Sequence, residues 1–252
     1  MPSIDWNRQM WGQRATWKDR GDEWHFHAWR SRQPYELWKQ SVAQTFITPY
    51  LGPDVDMLEL GPGHGRWTEF MIGRVRSLVL VDLNMTCIEA CQQRFGTSDP
   101  TVRFEVNDGR TLPVPDHSLD VIWSFAVLVH ADQSELDAYL GEFARALRPG
   151  GRFLVHHAGW LSPTPMVGLH LGAALVSRAR KGQWRGRFDR GAMSPGRFRL
   201  LAAKHGLAVD AQARRWGPSG RFALAVGDVI STGHLPHAEA SMDGRTGQRT
   251  TG

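Results

Sequence analysis

The stretch from Val55 to Asp82 constrains this chain more than any other. Val55-Asp56-Met57-Leu58-Glu59-Leu60 is a short apolar run of strand character, and Gly61-Pro62-Gly63-His64-Gly65 follows it. After a helix-like segment at 66–74, a second apolar run, Leu78-Val79-Leu80-Val81, ends in Asp82. Strand, glycine-rich turn, helix, strand and terminal acid make the first half of a nucleotide-binding βαβ unit. Glycines let the backbone pass close to a ligand at angles that a β-carbon forbids. An acid at the tip of the second strand can accept two hydrogen bonds from a ribose diol, so a nucleoside is implied.

The kind of nucleoside is narrowed by what is missing. The dinucleotide fingerprint requires a further glycine where Arg66 stands, and a phosphate-cradling Walker loop requires Gly-Lys-Ser/Thr. What remains, Glu59-x-Gly61-x-Gly63-x-Gly65, resembles the first motif of the class I S-adenosylmethionine (SAM) dependent methyltransferases. Two further pieces fall where that family has them: Asn107-Asp108-Gly109 closing a third strand, and Leu147-Arg148-Pro149-Gly150-Gly151 leading into a fifth. The resemblance implies an α/β, Rossmann-like, seven-stranded sheet, mostly parallel with the last strand antiparallel. SAM is the implied cofactor, and no metal is expected. The implied cofactor-binding residues are Glu59, Gly61, Gly63, Gly65, Arg66, Asp82, Leu83, Asp108, Gly109, Ser124 and Phe125. Asp82 would take the ribose hydroxyls, Asp108 the adenine amino group, and the glycine loop the methionyl part.

Around this core the chain reads as three parts. Residues 1–52 form a helical arm rich in tryptophan (Trp6, Trp11, Trp17, Trp24, Trp29, Trp38) with His25 and His27 among them. These rings either pack the arm onto the core or make a lid over the acceptor site. Residues 53–230 are the expected catalytic domain, with an insertion at 158–193 after strand five that would help to form the acceptor pocket. Residues 231–252 read as a polar tail. Pro34 opens a helix, Asn84 and Gly96 bracket another with Met85, Ile88, Cys91 and Phe95 inward, and Asp132 with Glu135 makes a capping box. The strands at 207–213 and 221–226, joined by Gly217-Pro218-Ser219-Gly220, read as the antiparallel pair that closes the sheet.

Composition excludes some functions. No apolar run approaches the ~20 residues of a membrane span, and Met1-Pro2-Ser3-Ile4-Asp5 does not start a signal peptide, so a cytoplasmic protein is expected. Cys87 and Cys91 read as reduced, buried thiols. The net charge is +5, and the 178–221 stretch carries twelve arginines and lysines against Asp189 and Asp210. That stretch permits an RNA-binding reading, though solvated arginines are commoner.

The finer resemblance is to bacterial natural-product tailoring methyltransferases, many acting on sugars, through Gly65-Arg66-Trp67-Thr68, Trp123-Ser124-Phe125-x-x-Leu128-Val129-His130 and Phe153-Leu154-Val155-His156-His157. Those relatives tend to carry an acid where Ala126 stands. His130, His156 and His157 all fall at the carboxyl ends of strands four and five, where ligands bind in an open α/β sheet. They are candidate catalytic residues, with a core role and a metal-ligand role as alternatives. The expectation is methyl transfer to an amine or hydroxyl of a glycoside or aminoglycoside-like small molecule, with a lean to nitrogen. An RNA methyltransferase and a non-catalytic SAM-binding partner protein are the other readings, and a homodimer is compatible with each.

Overall fold

The computed structural model describes residues 3–13, 17, 21, 22, 28, 30–159, 193–225 and 227–237. Its centre is a seven-stranded sheet: β1 (Gly52–Leu60), β2 (Val75–Asp82), β3 (Val102–Val106), β4 (Leu119–Ser124), β5 (Leu147–Ala158), β6 (Ala208–Ala213) and, last in the chain, β9 (Asp228–His234). The order is β3-β2-β1-β4-β5-β9-β6, with β9 antiparallel to both neighbours and the β1–β5 pairings parallel. Parallel strands covered on both faces read as continuous apolar runs, which is why 57–60 and 78–81 were legible.

Alternation along each strand divides the core in two. Leu58, Leu60, Val79, Val81, Ile122, Phe153 and Val155 pack under α4 (Gln133–Ala146) and α5 (Pro195–Lys204). Met57, Leu78, Leu80, Trp123 and Leu154 face Trp38 and Val42 of α2 (Tyr35–Val42), which runs on through a π turn and a 3-10 turn to Tyr50. The remaining helices are α1 (Ile4–Trp11) and α3 (Met85–Phe95). The capping box of α4 forms as expected, with Asp132 accepting from Glu135 N and Glu135 accepting from Asp132 N. Ser194 caps α5, and Gly206 follows that helix with a φ of +77°.

Four expectations are corrected. The segment after the glycine loop is not an α-helix but a set of turns around one 3-10 turn, Thr68–Phe70. It is bounded by Gly65 and Gly73, both at positive φ, and Thr68 is held by a buried hydrogen bond to Glu59. In α3 Met85 is 56% exposed, and the inward residues are Cys87, Ile88 and Cys91. The turn at 217–220 joins only a small separate ribbon, β7 (Arg215–Trp216) and β8 (Phe222–Ala223). The sheet is closed instead by β9, so residues 231–234, read as the start of the polar tail, belong to the sheet. Ser231 is fully buried, and a Cβ at Gly233 would lie 2.1 Å from Ala208 O, so these polar and small residues belong to the sheet interior. Trp24, Trp29, His25, His27, most of the 158–193 insertion and the tail from 238 lie outside the described residues.

Candidate active site

The glycine loop leaves β1 at its carboxyl end, where Gly61 N donates to Val81 O (2.7 Å). Gly61 has φ +72° and Gly63 φ +57°. A Cβ at Gly61 would lie 2.1 Å from Val127 Cγ2, and one at Gly63 would lie 2.5 Å from the Trp17 ring. Both positions thus require glycine for conformation and for space. Gly65 packs beneath Phe95 of α3.

Asp82 ends β2 and turns back to the loop. Its Oδ2 accepts from Gly63 N (3.2 Å) and its Oδ1 from Asn84 N (2.9 Å). Two donors leave acceptor capacity on a carboxylate with about four lone-pair sites. Burial raises its pKa to about 6, against the lowering effect of the backbone donors. Leu83, partly buried, is the next residue.

Arg66 is 5% exposed, and its guanidinium lies over the rings of Trp67 (5.0 Å) and Phe125 (5.5 Å). Its Nη1 is buried with no hydrogen-bond partner among the described residues. A buried guanidinium with an unused N–H fits a carboxylate ligand. Together, the glycine cradle, the Asp82 carboxylate and Arg66 fit an amino-acid nucleoside such as SAM.

Other expected site residues are placed behind this surface. Glu59 is buried and accepts from Thr68 Oγ1 (2.5 Å), so it braces the turn after the loop. Ser124 is fully buried and donates to Leu60 O (3.1 Å), tying β4 to β1, while Phe125 forms the wall against Arg66. Asn107 donates to Thr111 O and Tyr139 Oη, both at 2.9 Å. Asp108 is exposed, and its Oδ1 accepts from Arg110 N, Thr111 N and Thr111 Oγ1, leaving the other oxygen for a ligand. Gly109, φ +89°, lies under Ile4 of α1.

Burial raises the Glu59 pKa from an ordinary 4.5 to about 8, although the Thr68 hydrogen bond and Arg66 lower it. The folded protein therefore holds a proton at neutral pH that the unfolded chain has released. The associated stability is fully present below about pH 4.5 and is lost as pH rises toward 8. Above pH 6, where the Asp82 contribution has faded, the unfolding free energy from urea titrations should fall with pH by at most ~1.4 kcal/mol per unit, and Glu59→Gln should flatten that slope.

The three histidines do not meet. His157 is fully buried, stacks on Phe198 of α5 (4.1 Å, 1°), and uses both nitrogens, on Ala158 O (2.6 Å) and Ser231 Oγ (2.7 Å). Burial lowers its pKa to about 4. It packs as a core histidine, the alternative role that the sequence left open. His156, on the opposite face of β5, is also fully buried, stacked on Phe125 (4.3 Å). Only His130, in the loop after β4, is partly exposed, with Trp11 4.9 Å away.

Sequence patterning did not foresee how the arm lies. Asn7 Nδ2 donates to His130 O (3.0 Å), Thr86 Oγ1 donates to Gly12 O (3.2 Å), and Trp17 stacks on His64 (4.5 Å, 13°). The arm therefore crosses the loops that follow β1, β2, β3 and β4, whereas Trp38 packs in the core. Asp228, Val127 and Thr68 were also missed, since each matters only through a contact distant in sequence.

An open sheet of this order, with a glycine loop after its first strand and a buried acid ending the second, defines the class I methyltransferase fold. Residues 57–151 match the family described as Methyltransferase domain, and the sheet order, the glycine loop and the buried acid ending β2 agree with that match. A probable S-adenosylmethionine-dependent methyltransferase of Mycolicibacterium smegmatis is 33% identical over 101 residues, 40% of this chain and 37% of that protein. A second M. smegmatis relative, a fatty-acid O-methyltransferase, is 33% identical over 49% of this chain and 43% of its own length. The chain thus spans less than half of either relative. A methyltransferase solved with the Haloferax volcanii Trm112 methyltransferase activator shares the fold, at TM-score 0.57 and 20% identity, over 88% of this chain and all of that one. Among the described residues no helix is long and apolar enough to cross a membrane.

Proposed function

We propose that this chain transfers a methyl group from SAM to an amine or hydroxyl of a small molecule, with a glycoside or aminoglycoside-like acceptor as the best reading and nitrogen slightly favoured. The observation that carries the cofactor half is the buried Arg66 Nη1 beside the Gly61–Gly63 cradle and Asp82. In this reading Arg66 holds the cofactor carboxylate, Asp82 the ribose hydroxyls, and the Asp108–Gly109 turn the adenine edge. SAM supplies the electrophilic methyl group. The protein's part is alignment and exclusion of water, with proximity contributing up to ~7–11 kcal/mol. His130 is the imidazole available to take a proton from the acceptor, since His156 and His157 are enclosed.

The acceptor class rests on the resemblance of the 123–130 and 153–157 segments to tailoring enzymes and on Ala126, whose methyl offers no carboxylate. The RNA reading is disfavoured where the basic stretch is described. Arg199 donates to Val209 O, Arg214 to Gly159 O, Arg215 to Gly220 O and Arg221 to Gln33, so these guanidinium groups serve the fold. Residues 178–190 lie outside the described residues. Incubation with SAM and a panel of amino sugars, glycosides, fatty acids and total RNA, read by mass spectrometry, tests the proposal. A single added methyl on an amino sugar or glycoside supports it. Labelling of RNA or fatty acid alone overturns the acceptor class, and binding without turnover favours the non-catalytic partner.

A further inference from the structure

The loop after β4 has an unusual backbone. Ala126 adopts φ +63°, a left-handed conformation that costs an L-residue with a β-carbon about 1–2 kcal/mol. The next residue, Val127, sits against Gly61, where an added Cβ would fall 2.1 Å from Val127 Cγ2. The preceding one, Phe125, lies under the Arg66 guanidinium. Three successive residues thus form one wall of the cofactor cradle, and the middle one is strained.

What holds this turn comes from two other strands. Ala126 N donates to His156 Nδ1 (3.1 Å), and the imidazole stacks on Phe125. His156 Nε2 lies 3.3 Å from Asp228 Oδ2 at the start of β9, a charge contact without hydrogen-bond alignment. His156 is 0% and Asp228 1% exposed. Because Nδ1 accepts the Ala126 N–H, the ring proton belongs on Nε2, facing the Asp228 carboxylate. A doubly protonated ring would set two donors against each other at Ala126.

We propose that His156 is a positioning residue of the cofactor site. With the Asp228 carboxylate beside its Nε2, it pins the strained Phe125–Ala126–Val127 turn against Gly61 and shapes the pocket for the methionyl end of SAM; it does not take the acceptor's proton. The proposal rests on the SAM-binding reading above. It also gives a function to Asp228, which no sequence motif marks.

Two substitutions separate the atoms involved. In His156→Asn the side-chain oxygen falls near the position of Nδ1 and can still accept from Ala126 N. In His156→Gln the amide reaches toward Asp228 and leaves the Ala126 N–H without its acceptor, which shifts the turn away from its ordered conformation about tenfold or more. S-adenosylhomocysteine (SAH) affinity is measured by calorimetry on both variants and on the wild type, with thermal unfolding as a control. The expected result is His156→Asn within about threefold of wild type and His156→Gln at least about tenfold weaker, with Ala126→Gly restoring part of the loss in the Gln background by relieving the strain. Equal affinity of the Asn and Gln variants, or a His156→Asn loss as large as that of Gln, overturns the proposal. A Gln variant too unstable to purify while Asn binds normally supports it. Failure of the wild type to bind SAH instead removes the SAM reading, a separate outcome.

Discussion

Gly61→Ala should weaken SAH binding at least about a hundredfold while leaving the protein folded. The new Cβ would stand 2.1 Å from Val127 Cγ2 and 3.2 Å from both Val127 Cβ and Cγ1, at a residue whose φ is +72°. Val127 cannot step aside cheaply, because the residue before it is already at positive φ and hydrogen-bonded to His156. The loop must therefore move at the point where a cofactor's methionyl part would rest. The left-handed conformation itself costs ~1–2 kcal/mol, so the unfolding midpoint should fall modestly. Gly73→Ala is the matched control: its φ is +69°, but nothing lies within 4 Å of the added carbon. It should show a similar small loss of stability and unchanged affinity. Calorimetric titration of both variants checks this, and wild-type affinity in Gly61→Ala would mean that the loop is not the cofactor cradle.

The largest effect on stability is expected from Trp38→Ala, ~3–5 kcal/mol by urea unfolding. Trp38 is fully buried, and its ring lies about 6 Å from those of Trp67, Phe125 and Trp216 (6.2, 6.1 and 6.2 Å). Its Nε1 donates to Ala223 O (2.9 Å). Truncation opens a cavity between α2 and the sheet and leaves that carbonyl with Ser31 Oγ (3.2 Å) as its donor. Trp67 and Phe125 are also the rings beneath Arg66, so the cavity borders the cofactor site. Trp38→Phe, which keeps an aromatic ring but loses the N–H, should cost less. A loss below about 1 kcal/mol for Trp38→Ala would show that the arm's aromatic packing is not what joins it to the core.

What was legible in the sequence was local. The runs at 57–60 and 78–81, the glycine loop, Asp82, and the Asp132–Glu135 capping box each carry their signal within a few residues, and the structure forms them accordingly. The turn at 66–74 misled because Trp67, Thr68 and Met71 are spaced to share one helical face, yet a buried hydrogen bond from Thr68 to Glu59 fixes a different path. Strand β9 was hidden because Ser231, Thr232, Gly233 and His234 are polar or small; their burial depends on His157 and Phe153 across the sheet. The same long-range logic separated the histidines. Neighbours on a strand point to opposite faces, so His156 lies beside Phe125 and His157 beside Phe198, and adjacency in sequence became distance in space.

Titration of SAH into the purified protein near pH 7.5, alongside Asp82→Ala, tests the account most directly. Binding of one SAH per chain with a dissociation constant on the order of micromolar, weakened at least about tenfold in Asp82→Ala, is the predicted result. Absence of SAH binding by the wild type, or equal binding by the variant, would contradict the assignment of the Gly61–Gly65 loop and Asp82 as the cofactor site.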